Sequence, residues 1–453
     1  MTIKHLTIFH TNDIHSCFDH WSQIVAYMKK NRNEHTLYLE LGDHTDRSNA
    51  FTEATYGKGN VELLNEAAVD YGTIGNNEGI TFSKDQLESL YADATFPIVV
   101  ANVFNTNDTR PKWMKPFVIH KMKSGLKIGV IGLTAPFYRF YEQLGWKVTP
   151  PIPLLKRLLP QVRKQADVVI LMSHLGLQKD EEIAEEFSGI DVILGAHTHH
   201  VLPEGKWVKD TLIAQAGKHG AFLGEIHIEY DDSALKIQHK QACLLNPKEE
   251  SKDPNTDEIL RRINEQATDI LSEPIATIPK PLLVNWQEPS EFGQLLCDAV
   301  TEWCGKEIGL MNAGVLLDSL EQGIVTKADL HRICPHPINP CIVKVTGAQL
   351  EKTIERALTR ELTHLELKGF GFRGKILGTM LYTGIEVKEQ SGSIQINILN
   401  EPLEKEKSYA IATLDMYTFG YLFPDLADAK EKQYFMPEFL RDVLAWKLAG
   451  KWA

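Results

Sequence analysis

The chain has 453 residues, of which 43% are hydrophobic, and its 48 Lys and Arg against 60 Asp and Glu give a net charge of −12 at pH 7. This profile is typical of a soluble globular protein of two or three domains, and it excludes a small scaffold held together by disulfides. The acidic balance also argues against duplex nucleic acid or an anionic membrane as the main partner, because both require a basic binding surface.

The alternation of apolar runs with amphipathic stretches predicts a layered α/β domain over the first half of the chain. Short apolar runs predict strands, and stretches with apolar residues at helical spacing predict helices. In chain order, the predicted strands are residues 8–9, 37–41, 71–74, 168–172 and 192–194, and the predicted helices are residues 23–31, 61–71 and 152–165.

A change of composition near residue 246 predicts a domain boundary. Residues 246–255 are polar and contain two prolines, which is typical of a surface segment. A helix over residues 256–272 is predicted to follow, with Thr256 as its N-cap. We therefore expect a first domain over residues 1–245, a linker and interdomain helix over 246–274, and a second domain over 275–453.

The six cysteines and the apolar runs indicate where the protein resides. The opening residues show no signal-peptide pattern, and the longest apolar runs are far shorter than the roughly 20 residues of a membrane-spanning helix. No C-x-x-C pair is present, so we expect reduced thiols in a cytoplasmic protein, with disulfides as the alternative. The cysteines are Cys17, Cys243, Cys297, Cys304, Cys334 and Cys341.

Each predicted strand of the first domain is followed by a residue that is able to bind a metal ion. In layered α/β folds the carboxyl ends of the strands gather at one edge, so these residues can converge although they are far apart in sequence. Any one of them alone would be a loop or core residue more often than a ligand, but five such sites together favour a metal centre. They are Asp13 and His15, Asp43, Asn76, His174, and His197 and His199.

The residue types narrow the choice of metal. Carboxylate, amide and imidazole donors suit Mn²⁺, Zn²⁺, Fe or Co better than Ca²⁺, and the absence of thiolate argues against a structural zinc site. Two neighbouring ions need a carboxylate that bridges them, and Asp43 is the candidate for this role.

These motifs carry a family resemblance. The segments 13–15, 42–47, 75–78, 173–174 and 195–199 resemble the ordered motifs of the calcineurin-like metallophosphoesterases. More closely, the chain resembles the bacterial 5′-nucleotidase/2′,3′-cyclic-nucleotide 2′-phosphodiesterase family, to which segments 10–15, 101–103, 128–134, 288–299, 312–314, 323–326 and 345–347 are also similar. The resemblance implies an N-terminal four-layer α/β/β/α sandwich and a C-terminal α+β domain of the 5′-nucleotidase type.

The resemblance also implies the metal ligands. Asp13, His15 and His199 would hold one ion and Asn76, His174 and His197 a second, with Asp43 shared between them. Two divalent ions are implied, with manganese as our first choice and zinc, iron or cobalt as alternatives. A hydroxide held between them would attack the phosphorus atom of the substrate.

The sequence departs from the family pattern beside the ligand Asn76. The family has a His after this Asn and an Asp three residues further on, whereas this chain has Asn77 and Ile80. An amide has no titratable proton to give to a leaving group. We therefore predict a hydrolase that favours good leaving groups, with Asn77 in the catalytic position, or one that uses another proton donor, foremost His44 and otherwise His200 or His219. For these three histidines a solvated loop position is the alternative.

The predicted substrate site in the second domain is also altered. The resemblance implies an arginine after the turn at Asn312 and an aspartate in the late loop around residues 417–421, and both are missing. Asn312 is itself a candidate substrate residue, and Arg360 and Arg373 are candidates for contacting phosphate. Phe419 and Tyr421, and also Phe370 and Phe372, are candidates for stacking on a base, with core packing as their alternative. Residues 369–374 spell G-x-G-x-x-G but lack the strand–turn–helix order of a dinucleotide-binding loop.

These observations together predict a metal-dependent hydrolase of phosphoester bonds in a small phosphorylated metabolite, foremost a nucleotide. One alternative is a protein that binds metal and nucleotide without turnover, which the loss of the His-Asp pair suggests. A hydrolase of nucleotide sugars or pyrophosphates is the other. We expect neither a nucleic-acid polymer nor a membrane as a partner.

Overall fold

The computed structural model describes residues 3–390 and 393–452, and its internal contacts divide the chain into two units between Ala267 and Thr268. This division lies inside the helix that the sequence predicts between the domains. The helix spans Pro254–Leu271, and its first turn is capped by Asp253, whose Oδ1 accepts hydrogen bonds from the backbone N–H and hydroxyl of Thr256, each at 2.9 Å. The predicted cap at Thr256 is therefore wrong by three residues.

The first unit is built from fifteen strands and nine helices within the described residues, the last helix crossing the division. The strands are β1 Ile3–Thr11, β2 Thr36–Glu40, β3 Tyr71–Gly72, β4 Ile98–Val99, β5 Val103–Asn105, β6 Met114–Lys115, β7 Phe117–Lys121, β8 Lys127–Thr134, β9 Trp146–Val148, β10 Val168–His174, β11 Val192–Gly195, β12 Lys206–Val208, β13 Thr211–Ala214, β14 Leu223–Asp231 and β15 Lys236–Leu245. The helices are α1 Trp21–Asn31, α2 Ala50–Thr55, α3 Lys58–Glu66, α4 Asn76–Thr81, α5 Lys84–Leu90, α6 Tyr138–Gln143, α7 Pro151–Arg163, α8 Leu177–Glu186 and α9 Pro254–Leu271.

Two sheets form the centre of the first unit. One has the order β15-β14-β1-β2-β3-β4-β6 and the other β12-β13-β11-β10-β8-β7. Strands β1 to β4 and β6 run parallel, as do β8, β10, β11 and β13, so the carboxyl ends of β1, β2 and β3 lie at one edge of their sheet. The carboxyl ends of β10 and β11 share an edge of the second sheet in the same way.

The side chains of β10 show how the layers are held together. All seven of its residues are buried, because alternate residues face two different cores. Val168, Ile170 and Met172 pack in a core between the two sheets, whereas Val169 and Leu171 pack in a second core that includes residues of α7 and α8. On the far side of the first sheet, Phe9 of β1 contacts Tyr27 of α1. The layers are thus helix, sheet, sheet and helix, which confirms the predicted four-layer sandwich.

The second unit is an α+β assembly, as predicted. Its strands are β16 Pro274–Ile278, β17 Gly309–Asn312, β18 Gly323–Thr326, β19 Pro340–Thr346, β20 Met380–Thr383, β21 Ile385–Gln390, β22 Ser393–Ile398, β23 Glu401–Pro402, β24 Ser408–Leu414 and β25 Glu431–Tyr434. Its helices are α10 Glu291–Trp303, α11 Lys327–Ile333, α12 Gly347–Ala357, α13 Arg360–Thr363, α14 Pro424–Ala427 and α15 Leu440–Trp452. A five-stranded sheet of order β20-β17-β24-β19-β25 forms its centre. Residues 369–374 lie between α13 and β20, so they form a loop without the dinucleotide-binding context.

Two further predictions concern the cysteines and membrane spans. All six cysteines, which lie in the described part of the chain, have free thiols. Across residues 3–390 and 393–452, no helix has the length and apolar character needed to cross a membrane.

Candidate metal centre

The loops that follow β1 and β2 run side by side and carry the first candidate ligands. The backbone N–H groups of Asp13, His15 and Ser16 donate to the carbonyls of Gly42, Asp43 and His44 at 3.1, 2.8 and 2.9 Å. Asp13, His15 and Asp43 all have φ near +50°, a conformation that costs roughly 1 kcal/mol or more for a residue with a side chain. The backbone is strained at the three positions that aim these side chains inward.

Two glycines allow the loops after β2 and β3 to meet. A methyl group on Gly42, whose φ is +84°, would overlap the backbone of Gly75. A methyl group on Gly75 would in turn overlap Oδ1 of Asp43. Glycine is needed at both positions because only a backbone without Cβ can approach so closely.

The structure brings the predicted ligands together in two groups. Asp13, His15 and His199 form one, Asp43, His174 and His197 form the other, and the ligand atoms in each lie within 4.8 Å of one another. Asp43 Oδ2 is 3.8 Å from Nε2 of His15 and 3.4 Å from Nε2 of His174, so one carboxylate oxygen lies near both groups.

Asp13 also reaches both groups. Its Oδ1 lies 3.5 Å from Nε2 of His199 and 3.9 Å from Nε2 of both His15 and His174. The carboxylate is held in place by the side-chain amide of Asn12 at 2.8 Å and by the backbone N–H of His197 at 3.0 Å. These bonds fix its direction while leaving it close to three imidazoles.

Two buried polar atoms of the site fit a cation. His174 donates from Nδ1 to the carbonyl of Leu41 at 2.8 Å, which turns its Nε2 toward Asp43. Within the described residues, Nε2 of His174 and Oδ1 of Asn76 are both buried without a hydrogen-bond partner. Buried polar atoms are almost always paired, so these two fit a site whose remaining partner is a cation. The donor set of carboxylate, amide and imidazole fits divalent ions of the Mn²⁺ to Zn²⁺ series.

The charges of the site are arranged for a cation. Burial lowers the pKa of His174, but Asp43 and then Asp13 outweigh it and raise this pKa to about 10. Burial raises the pKa of Asp43, yet His174 and His15 outweigh it and hold the pKa below its usual value. The buried carboxylates thus stabilise positive charge between them.

Asn77 and Asp46 flank the ring of His15. The side-chain amide of Asn77 is 2.9 Å from Nδ1 of His15 and 3.0 Å from the carbonyl of Thr45, and its backbone N–H donates to Asp43 Oδ1 at 2.7 Å. Asp46 Oδ2 lies 3.4 Å from the same Nδ1. Asn77 is therefore in contact with the candidate centre, and its catalytic role stays a prediction.

The three histidines considered as proton donors are placed differently. His44 is 2% exposed, packs against Phe18 and Trp21, and has its pKa lowered to about 3 by burial. The ring of His44 is therefore buried against aromatic side chains, and its catalytic role stays a prediction. The ring of His219 lies 5.8 Å from that of His15, and His200 is exposed beside Thr198.

Glu78 supports the backbone of the centre, and no role is predicted for it from the sequence. Its two carboxylate oxygens accept hydrogen bonds of 2.8–2.9 Å from the backbone N–H groups of Asp43, Thr45 and Gly75 and from the hydroxyl of Thr45. It therefore fixes the loop after β2 to the start of α4. The signal for it was its place at the end of the Gly75-Asn76-Asn77-Glu78 motif.

The predicted substrate residues lie in the second unit, and Asn312 is internal there. It is fully buried, donates to the carbonyl of Leu377 at 2.7 Å and accepts from the hydroxyl of Tyr417 at 2.7 Å. These hydrogen bonds give Asn312 a structural role. Arg360 and Arg373 are both exposed, and Arg373 donates from its backbone N–H to His336.

Three aromatic side chains of the second unit form an exposed cluster. The ring of Phe370 lies 5.7 Å from that of Phe419 and 6.0 Å from that of Tyr421, with planes inclined by 21° and 22°. All three are at least 39% exposed, whereas Phe372 is buried and stacks on His336. The core packing considered as an alternative therefore applies to Phe372 alone among these four.

Comparison with known proteins identifies both halves of the chain. Residues 6–201 match the family model of the calcineurin-like phosphoesterases, and residues 274–421 match that of the 5′-nucleotidase C-terminal domain. The metallophosphoesterase YunD of Bacillus subtilis (strain 168) is 44% identical over 457 residues, which cover 98% of this chain and 99% of the relative.

Solved structures share the fold over the whole length. The NAD nucleotidase of Haemophilus influenzae superposes with a TM-score of 0.70 at 16% identity and covers 100% of this chain and 97% of its own. The 5′-nucleotidase precursor of Thermus thermophilus gives a TM-score of 0.61 at 18% identity, with coverage of 99% and 96%. The chain therefore belongs to the calcineurin-like metallophosphoesterases that carry a 5′-nucleotidase C-terminal domain, and it is a phosphoester hydrolase.

Proposed function

We propose that this hydrolase acts on nucleotides or closely related small phosphate esters, with two divalent metal ions held by Asp13, His15, Asp43, Asn76, His174, His197 and His199. The observation that carries the proposal is the pair of ligand groups joined by Asp13 and Asp43, together with the unpartnered atoms of His174 and Asn76. We propose manganese as the native metal, with zinc, iron or cobalt as alternatives.

Two metal ions bound at this centre would have distinct roles. Two divalent ions bound here would neutralise charge on the phosphoryl oxygens and lower the pKa of a shared water. Asp13, His15 and His199 would hold one ion, and Asn76, His174 and His197 the other. Asp43 would bridge them, which is supported by its Oδ2 lying within 4 Å of imidazoles from both groups.

Asn77, beside the centre, affects which leaving groups are displaced efficiently. Asn77 can donate a hydrogen bond from its amide to a leaving oxygen or a phosphoryl oxygen, but it cannot supply a proton. General acid catalysis is worth roughly 10²- to 10⁴-fold in rate. We therefore propose a preference for esters whose leaving group departs without protonation.

The aromatic cluster of the second unit supports a nucleoside as part of the substrate. Phe370, Phe419 and Tyr421 present three exposed, nearly parallel rings, and a flat base can stack on such rings. Arg360 is exposed on α13 of the same unit, and its guanidinium would suit phosphate. The free thiols further support a reducing compartment such as the cytoplasm.

The proposal is tested with purified protein and a panel of metals and substrates. With Mn²⁺ the wild type is expected to cleave an aryl phosphate ester, and Asp43→Asn is expected to abolish the activity because the bridging charge is lost. Asp19→Asn serves as control, since Asp19 is exposed in the loop that follows β1. Wild-type protein that stays inert with Mn²⁺, Co²⁺, Zn²⁺ and Fe²⁺ would overturn the proposal.

A substrate screen then tests the nucleotide assignment. Nucleoside 5′-monophosphates and 2′,3′-cyclic nucleotides are compared with nucleotide sugars, pyrophosphates and sugar phosphates of matched charge. The proposal expects the lowest KM values among compounds that carry a base, and equal KM values for sugar phosphates would contradict it.

A further inference from the structure

A second cluster of potential metal ligands lies on the outer strands of the first sheet. Glu225 and His227 are two residues apart on β14, so their side chains share one face, and Cys243 of β15 is paired directly with Glu225. Ile226 and Ile228 of β14 point into the core between the sheets. Glu225, His227 and Cys243 therefore lie on the opposite face, where Tyr27 of α1 contacts Glu225.

The three side chains converge on one point. A carboxylate oxygen of Glu225, a ring nitrogen of His227 and the sulfur of Cys243 lie within 4.8 Å of one another. Oε1 of Glu225 is 2.9 Å from Nε2 of His227. Glu225 is 8% exposed, whereas His227 and Cys243 are half-buried, so the cluster is accessible from solvent on one side.

The atoms behind this cluster hold it in orientation. The hydroxyl of Thr7 lies 3.3 Å from Nδ1 of His227, and the hydroxyl of Tyr27 donates to Oε2 of Glu225 at 3.4 Å. Nε2 of His227 and Oε1 of Glu225 thus face each other, while the opposite polar atom of each side chain contacts a neighbour. Ligands of bound metals are commonly fixed in this way.

We propose that Glu225, His227 and Cys243 form a further metal site, which takes Zn²⁺ or a similar thiophilic divalent ion. Thiolate, imidazole and carboxylate are the three ligand types that zinc uses in proteins, and three protein ligands leave a fourth position for water. Cys243 and His227 lose their protons when the ion binds. The ion then takes the place of those protons and of the ion pair between Glu225 and His227. A bound ion links β14 to β15.

The sulfur ligand separates this site from the candidate centre. The centre described above has only oxygen and nitrogen donors, whereas the new site includes the thiolate of Cys243. Cobalt bound to a thiolate has a charge-transfer absorption that cobalt bound to oxygen and nitrogen lacks. This spectroscopic signal therefore reports on the new site alone, whether or not the protein hydrolyses any ester.

The experiment titrates Co²⁺ into the reduced, metal-free full chain and records the absorption spectrum. The wild type is expected to show the thiolate band, and Cys243→Ser and His227→Gln are expected to lose it. Cys17→Ser is the matched control, because Cys17 is also half-buried, its thiol donates to Asp19, and it belongs to none of the candidate ligand groups in the described residues. This control variant should keep the band.

Two further measurements make the outcome decisive. After dialysis against Zn²⁺, Cys243→Ser should hold one ion fewer per chain than the wild type, and Zn²⁺ should protect Cys243 of the wild type from alkylation by iodoacetamide. The proposal is overturned if the wild type lacks the band, or if Cys243→Ser binds as much zinc as the wild type. Equal alkylation with and without zinc would also overturn it.

Discussion

His15 depends on a neighbour to present the correct nitrogen to a metal. Its Nε2 faces Asp13, Asp43 and His199, and Asp46 lies 3.4 Å from its Nδ1. A ring that binds a metal through Nε2 carries its proton on Nδ1, where the carboxylate of Asp46 can accept it. Asp46 is itself fixed by the backbone N–H of Ser48, which donates to its other oxygen at 2.8 Å. A carboxylate in this position orients the ring and makes it a better ligand.

Asp46→Asn is therefore predicted to weaken metal binding by roughly 10- to 100-fold. Isothermal titration with Mn²⁺ measures the dissociation constant, and the activity at saturating metal should recover most of its wild-type value. Asp19→Asn, an exposed change in the loop after β1, should leave the constant unaltered. Unchanged affinity in Asp46→Asn would show that Asp46 does not position His15.

Asp415 of the second unit gives a prediction about pH. Burial raises the pKa of this carboxyl to about 8, although backbone N–H groups near it act in the opposite direction. Its Oδ1 has no hydrogen-bond partner in the described part of the chain. The folded state thus binds a proton that the unfolded state releases near pH 4, so the contribution of Asp415 to stability is present at low pH and is lost as the pH rises through about 8.

Asp415→Asn removes this titration, so its stability relative to the wild type is predicted to be greater at pH 9 than at pH 6. The upper limit of the change is several kcal/mol, at ~1.4 kcal/mol for each unit of pKa shift. Urea unfolding followed by circular dichroism at both pH values measures the difference. Asp428→Asn, at an exposed position nearby, is the control. A difference that does not grow with pH would contradict the prediction.

The candidate ligands of the centre could be predicted from the sequence, but the residues that support them could not. All seven candidate ligands lie at or after the ends of strands whose apolar runs are visible in the sequence, and the structure brings six of them into two compact groups. Glu78 and Asp46 act differently, because they hold backbone groups and a ring that come from other loops. Their roles depend on contacts that only the folded chain creates, so the sequence pattern alone does not reveal them.

At the scale of elements, the short helix α4 carries the departure from the family pattern. Asn77 and Ile80 are three residues apart on it, so their side chains are neighbours on one face. Asn77 also contacts the ring of His15. A His at position 77 and an Asp at position 80 would therefore meet each other beside the candidate ligands.

The double variant Asn77→His with Ile80→Asp is predicted to raise turnover on poor leaving groups by up to about 10²- to 10⁴-fold, because it adds a general acid. The gain should be largest for nucleoside 5′-monophosphates and small for 4-nitrophenyl phosphate, and steady-state kinetics on both compounds measure it. Asn77→Gln with Ile80→Asp is the control without a titratable donor. Equal changes on both substrates would contradict the account of a missing acid.

The close approach of the loops after β2 and β3 predicts that a larger residue at position 75 will disturb both stability and metal binding. Gly75→Ala places a methyl group on Oδ1 of Asp43, and overpacking of this kind costs about 1–3 kcal/mol. We predict a lower thermal midpoint and at least tenfold weaker Mn²⁺ binding, measured by scanning calorimetry and titration.

The control for this change is Gly450→Ala in α15. A methyl group there meets nothing within 4 Å in the described residues, and Ala is a better helix former by about 1 kcal/mol. This variant should be as stable as the wild type or more so. If Gly75→Ala behaved like Gly450→Ala, the tight fit between the two loops would be of no consequence.

Strands with continuous apolar runs could be predicted from the sequence, whereas very short strands could not. Strands β2, β10 and β11 have continuous apolar runs that bury both faces, and they lie where the sequence predicts them. Strands β4 and β6 have only two residues each, too few for any periodicity. The start of α9 is missed because Thr256 and Asp253 are both good caps, and the proline at position 254 fits the first turn.

At the scale of the whole molecule, the net charge of −12 does not describe the electrostatic field at the candidate centre. The acidic balance still argues against a long polyanion, but the candidate centre would hold two dications beside Asp13 and Asp43. A small phosphate ester therefore need not be repelled. Charge counted over the sequence excludes classes of partner, whereas the field at one site depends on which carboxylates the fold brings together.

Metal binding at this centre should stabilise the folded chain as a whole. An ion that binds only the folded state stabilises it by about 2.7 kcal/mol at a concentration 100 times its dissociation constant, which corresponds to roughly 5–10 °C in thermal midpoint for a unit of this size. Mn²⁺ suits the test because it prefers oxygen and nitrogen ligands to thiolate, so it reports on the centre rather than on Cys243. We predict a rise of this order between EDTA and saturating Mn²⁺, measured by scanning calorimetry.

Hydrogen exchange should locate the stabilisation. The amides expected to gain protection with Mn²⁺ lie in the loops after β1, β2, β3, β10 and β11, since these loops carry the candidate ligands. Asp43→Asn should show a much smaller shift of the thermal midpoint and little added protection, because it lacks the carboxylate that lies near both groups. A midpoint that is equal in EDTA and in Mn²⁺, or protection confined to the second unit, would refute the assignment of the metal centre to these five loops.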